Sequence, residues 1–113
     1  MTSTSSGRQA EVRAVEYLKQ QNFEVIDQNW RTRYCEIDIV AQKDRRIYFV
    51  EVKYRAKDSW GSGVDYITPS KLKQMAYGAE MWVNANNWQA DYQLAVIEVT
   101  GLDFVITNFI TDI

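Results

Sequence analysis

Apolar and polar positions along the chain change their period several times, and each change marks an element. Glu11, Ala14, Val15 and Leu18 fall at i, i+3, i+4 and i+7, the stripe of an amphipathic helix, with Glu16 on the opposite side. Phe23-Glu24-Val25-Ile26-Asp27 reads as a first strand, leading through Asn29-Trp30-Arg31-Thr32-Arg33 to two further strand-like runs, Cys35 to Val40 and Ile47 to Arg55. The connection Lys43-Asp44-Arg45-Arg46 between them is polar and of hairpin size. Thr68-Pro69 supplies an N-cap and a first-turn proline for a second helix, whose apolar stripe is predicted as Leu72, Met75, Ala76, Ala79 and Val83. That helix is predicted to end near Asn84-Ala85-Asn86-Asn87, and Tyr92 to Val99 and Phe104 to Ile110 follow as strands. The order α-β-β-β-α-β-β contains a strand, helix, strand crossover, which predicts an α/β domain with a mixed sheet flanked by helices.

The hairpin carries charge where a sheet normally buries apolar groups. Side chains alternate along a strand, so Glu36, Asp38 and Val40 share one face, and Ile47, Phe49, Glu51, Lys53 and Arg55 share one face of the next. If Gln42 pairs with Ile47, Val40 stands opposite Phe49, Asp38 opposite Glu51 and Glu36 opposite Lys53. Two carboxylates directly across a strand pair cost a few tenths to about 1 kcal/mol relative to a neutral pair. A bound cation removes that cost, and carboxylates with carbonyls and waters form the oxygen shell that Mg²⁺ prefers. Asp38 with Glu51-Val52-Lys53 is therefore a candidate metal site with a lysine beside it. A solvated sheet face carrying a charge ladder is the plainer reading of the same residues, but the apolar content of Ile47 to Val52 reads as a central strand, whose charged end would lie in a cleft. Glu11 on the apolar stripe of the first helix asks for a partner such as a cation, an arginine or a metal-bound water.

Composition narrows the chemistry. The 113 residues contain no histidine and one cysteine, Cys35, which rules out Cys/His zinc sites and histidine-activated nucleophiles. Gly61 and Gly63 lack the spacing of a phosphate-binding loop. With 46% hydrophobic and 25% charged residues, the chain is expected to form one domain over 7–113 after a disordered tip at 1–6, without signal peptide or membrane span, in the cytoplasm. The formal charge of −2 hides an asymmetry: all 13 basic residues lie at or before Lys73, so the first 73 residues carry +3 and the remainder −5. Such a chain can turn a basic surface to phosphates. Trp60 in the loop after the third strand could stack on a base or cap the core, and Lys71 and Lys73 could contact phosphate or solvate a helix start.

Taken together, Glu11, Glu36-Ile37-Asp38 and Phe49-Val50-Glu51-Val52-Lys53-Tyr54-Arg55 resemble the PD-(D/E)XK nuclease superfamily, and within it the YraN-like family, related in fold to archaeal Holliday junction resolvases. The resemblance runs from about Gly7 to Phe109 and implies a restriction-endonuclease-like fold. It implies that Asp38, Glu51 and the Val52 carbonyl bind Mg²⁺ or Mn²⁺, that Lys53 orients or activates the attacking water, and that Glu11 completes the acidic cluster through water. Arg55 is implied as a phosphate contact, with Lys57, Trp60 and Lys71 on the nucleic-acid side. Cys35 stands where that family usually has glycine, and Gln74 is not followed four residues later by tyrosine, so the helical Gln/Tyr motif of RecB-like nucleases is absent. The implied activity is a metal-dependent endonuclease on branched or flapped DNA, with RNA and a homodimer left open. The alternatives are a nucleic-acid-binding module of nuclease fold with weak, lost or partner-dependent activity, and a metal-stabilised interaction protein.

Overall fold

Two helices cover opposite faces of one five-stranded sheet, and the register of its central strands decides where the charged residues meet. The computed structural model describes residues 2–56 and 67–113, the first three by backbone alone. The elements are α1 (Thr2–Gln20), β1 (Glu24–Arg31), β2 (Glu36–Lys43), β3 (Arg46–Arg55), α2 (Pro69–Asn86), β4 (Tyr92–Thr100) and β5 (Val105–Ile110), in the expected order. α1 begins within the segment expected to be a disordered tip. The sheet order is β1-β2-β3-β4-β5, with β1, β2 and β3 antiparallel, β3 and β4 parallel across α2, and β5 antiparallel to β4. No helix among the described residues is long and apolar enough to cross a membrane.

Asp44 and Arg45 both adopt positive φ, 53° and 66°, as the two-residue type I′ hairpin turn requires. That turn locks the register: Gln42 pairs with Ile47 and Val40 with Phe49. On one face Ala10, Ala14, Val15 and Leu18 of α1 pack against Ile39, Val50, Ala95, Ile97 and Val99. On the other, Ala79 and Trp82 of α2 pack against Ile37, Val40, Ile47 and Phe49, with the Trp82 and Phe49 rings edge to face at 5.6 Å. Burying a side chain of this size contributes roughly 1.5–3 kcal/mol, so two such layers hold the sheet between the helices.

Local signals account for α2. The Thr68 side chain accepts the Lys71 N–H at 3.0 Å, Pro69 opens the helix, and Asn87 closes it in the left-handed conformation. Its buried stripe is rotated from the expected one: Ala76 is exposed, while Gly78 and Trp82 are buried with Ala79. The largest aromatic on the helix turns to the sheet because its area outweighs that of Ala76. β1 runs to Arg31 rather than stopping at Asp27, accommodated by a bulge between Val25 and Asp27. β5 starts one residue later than expected because Phe104, at φ 52°, belongs to the turn.

Candidate metal and phosphate site

The ladder between β2 and β3 runs from Lys43↔Arg46 to Ile39↔Val50 and then gives way. One residue further, the Asp38 carboxylate accepts the Val52 N–H at 2.9 Å, taking a backbone donor that continued pairing would have given to β2. Ile37 packs toward α2 although Ile39, two residues on, packs toward α1, so β2 changes face across Asp38. Opposite this point on β1, Asn29 has φ 52°. The divergence opens a cleft of about 620 Å³ at the end of the sheet, lined by Glu11, Glu36, Asp38, Glu51, Val52 and the α2 residues Lys71, Lys73, Gln74, Met75 and Tyr77, with Tyr34 and Cys35 from the β1–β2 turn.

Four carboxylates share this cleft, and their mutual repulsion is legible in two of them. Burial, first, and then Glu51, Glu11 and Glu36 push Asp38 from the usual carboxylate range up to about 7, against the pull of the Val52 N–H. Glu11 is raised as well, chiefly by burial, with Glu36 and Glu51 adding to it and a hydrogen bond with the Asn29 side chain opposing it. Glu36 does not face Lys53 as the extrapolated register suggests. It pairs with Arg31 of β1 at 2.8 Å, its registered neighbour, and both side chains are well exposed.

Glu51 is the one of these four that meets two ammonium groups. Its Oε2 lies 3.1 Å from the Lys71 Nζ and 3.8 Å from the Lys53 Nζ, in a side chain only 14% exposed. Lys71, expected on the nucleic-acid side, thus reaches the acids themselves. In a strand, helix, strand crossover the helix packs back on the sheet it left, and here the first turn of α2 meets β3 at Glu51. That topological signal was available in the sequence. Asn29 left none, because its contact with Glu11 joins α1 to β1.

Arg55 is placed elsewhere. Its guanidinium pairs with Glu98 of β4 at 3.1 Å, the two side chains 10% and 3% exposed, and it does not line the cleft. Glu98 also accepts from Asn108 at 2.6 Å and Thr107 at 3.1 Å. An acid inside the aliphatic run Ala95 to Val99 was the signal for this network, and a buried acid needs such partners. Lys57 and Trp60 lie outside the described residues.

Among the described residues no three carboxylate or thiolate groups are gathered tightly enough to cage an ion. The oxygen donors that line the cleft are of the chemistry that a small hard cation keeping several waters, such as Mg²⁺, would use. Asp38 and Glu51 are the pair of that chemistry, Asp38 raised in part by Glu51 and Glu51 balanced by the Lys71 ammonium.

Residues 10–105 match the model of the family described as "Uncharacterised protein family UPF0102". The chain is 37% identical to a UPF0102 protein of Vibrio parahaemolyticus over 82% of this chain and 78% of that protein. It is 37% identical to one of Sulfurihydrogenibium sp., with 89% of each covered, and 32% identical to one of Pseudomonas syringae pv. tomato over 88% of this chain and 80% of that protein.

Proposed function

The chain belongs to the uncharacterised protein family UPF0102, and we propose that it hydrolyses phosphodiester bonds of DNA with a divalent cation, as an endonuclease of PD-(D/E)XK type. The observation that carries this reading is that Asp38 and Glu51 line one cleft where the β2–β3 ladder stops, with Lys53 two residues beyond Glu51 in the same strand. Asp38 and Glu51 would hold the cation, with the Val52 carbonyl and Glu11 as further oxygen donors of the same cleft. When bound, the cation lowers the pKa of its water and neutralises charge developing on the phosphate. Lys53, whose ammonium is 3.8 Å from Glu51 and one-third exposed, holds and orients the attacking water through its hydrogen bonds. Lys71 balances Glu51 at 3.1 Å, an ordinary charge-assisted contact at a partly exposed site, and would be available to phosphate were a cation to take that carboxylate. Arg55, closed off by Glu98, supports β3 rather than substrate. With net charge −2 and little surface for base readout, the chain suits a substrate chosen by structure rather than by sequence.

Cleavage of junction, flap, single-stranded and duplex DNA with Mg²⁺ or Mn²⁺, against EDTA controls, tests the reading. Metal-dependent cutting lost in Lys53→Ala supports it, and equal turnover in the variant overturns it. A second reading, a nucleic-acid-binding module without cleavage, draws on the Lys71–Glu51 contact, since an internal ammonium can satisfy that carboxylate without any metal. Calorimetry separates the two: the first requires Mn²⁺ binding that Asp38→Asn abolishes, the second does not.

A further inference from the structure

The rim of the cleft carries two tyrosines that this chemistry leaves unused. Tyr34 is 70% exposed and Tyr77 48% exposed, and both line the cleft that holds Glu11, Asp38 and Glu51. They come from different elements, yet their positions are tied together. The Thr32 hydroxyl accepts the N–H groups of Tyr34 and Cys35 at 3.1 and 3.2 Å, and the Thr32 N–H donates to the Cys35 carbonyl at 2.9 Å, which closes the turn that presents Tyr34. Cys35 then packs on α2: its sulfur lies 3.8 Å from the Met81 sulfur, and a Cβ on Gly78 would stand 3.7 Å from the Cys35 Cβ. Cys35 follows Tyr34 and Gly78 follows Tyr77, so one contact between the β1–β2 turn and α2 ties the positions of both tyrosines to one cleft.

The surroundings of the rings suit a polyanion with planar groups. The Arg33 guanidinium lies over Tyr34 at 5.6 Å from the ring centroid, and Lys71 and Lys73 line the cleft beside Tyr77. Bases inside a duplex are covered by their neighbours on both sides, and only an unpaired nucleotide can offer a free π-face to a protein ring. We propose that Tyr34 and Tyr77 are stacking platforms for unpaired bases, which makes the substrate class of this cleft a nucleic acid with single-stranded nucleotides next to the phosphate that meets the carboxylates. The inference rests on the phosphodiesterase reading for the position of the backbone. Stacking tolerates any base, in keeping with structure-selective rather than sequence-selective recognition.

Fluorescence anisotropy tests it, with labelled single-stranded DNA, single-stranded RNA and blunt duplex DNA of matched sequence, in Ca²⁺ and in EDTA. The wild type is expected to bind a single strand more tightly than the duplex, and more tightly in Ca²⁺ because the cation relieves repulsion between phosphate and the four acids. Tyr34→Ala and Tyr77→Ala each weaken single-strand binding roughly five- to hundredfold and leave duplex binding within about twofold, whereas Tyr34→Phe and Tyr77→Phe bind as wild type. The difference between the DNA and RNA arms identifies the sugar. Equal binding of strand and duplex, or wild-type binding by both alanine variants, overturns the proposal. Parallel incubation with Mg²⁺ keeps the two readings apart. Tyrosine-dependent strand binding without cleavage retains this inference and removes the nuclease, while cleavage with tyrosine-independent binding does the reverse.

Discussion

Two ion pairs stand on the same face of β3, four residues apart, and they are built for opposite ends. Glu51 shares an ammonium from α2 in an open cleft, with the lysine one-third exposed. Arg55 pairs with Glu98 inside the sheet, where Thr107 and Asn108 of β5 complete the acid's hydrogen bonds. A partly solvated pair exchanges partners at little cost, and a closed one does not. Carboxylates that must receive a cation belong to the first kind, and carboxylates that anchor a strand belong to the second. Lys53 lies between them: its register partner on β4 is Glu98, while its ammonium is turned to Glu51.

The largest expected effect tests whether Lys53 belongs to the open side. Lys53→Ala should lower cleavage by roughly 10²- to 10⁴-fold, the range for positioned proton-transfer groups, while Mn²⁺ binding by calorimetry stays near wild type. Loss of metal binding together with activity would instead make Lys53 a support for Glu51. Next comes the closed pair. Arg55→Ala strands the Glu98 charge in a buried site and should cost about 3–5 kcal/mol in chemical denaturation. An effect below 1 kcal/mol would show that the pair is as exchangeable as the one at Glu51.

The third prediction concerns pH. Asp38 is raised from 3.8 to about 7 in the folded protein, so the folded state holds its proton more tightly than the unfolded chain does. Metal-free stability attributable to Asp38 is therefore complete below about pH 4 and is lost as pH rises toward 7. Denaturation in EDTA across that window should show the decline in wild type and a flatter profile in Asp38→Asn. At pH 7 the Asn variant should be the more stable of the two in EDTA, by a few tenths to about 1 kcal/mol on the scale of a relieved like-charge pair. Mg²⁺ at a hundredfold excess over its dissociation constant should return about 2.7 kcal/mol to wild type and little to the variant. A less stable variant with a wild-type Mg²⁺ response would remove Asp38 from the metal site. The smallest effect is expected at Lys71. Lys71→Met should change metal-free stability by less than about 1 kcal/mol and tighten Mn²⁺ binding by removing a competing cation, a gain that high salt diminishes. Weaker Mn²⁺ binding in this variant would show that Lys71 organises the site rather than competing for it.

Much of the fold could be read from residues close in sequence. The Thr68-Pro69 start, the polar hairpin and the 3.6-residue stripe of α1 act over a few positions, and each appears where expected. The rotation of α2 toward Trp82 was less visible, because a stripe containing alanines at neighbouring angles leaves the helix face undecided until the sheet selects it. Glu11, Asp38, Glu51 and Lys53 were identifiable as charges sorted onto faces that ought to be apolar, and the structure brings the three acids into one cleft, while Lys53 does not line it and lies 3.8 Å from Glu51.

Partner choice is the part that only the tertiary structure decided. Spacing along the chain determines which side of a strand or helix a residue occupies, since backbone geometry repeats every 2 or 3.6 residues. Which group then meets it depends on where distant elements cross. β2 leaves the ladder at Asp38, opposite Asn29, so the carboxylate takes the Val52 N–H. α2 packs back on the sheet with its first turn against the middle of β3, so Lys71 reaches Glu51. β4 and β5 enclose Arg55 with Glu98, so the arginine that the alternation places beside Lys53 is withdrawn from the cleft. Local periodicity settles the elements and the faces of their charges. It does not determine which charges neutralise one another, because that energy depends on through-space distances of 3 to 4 Å between residues up to 45 positions apart.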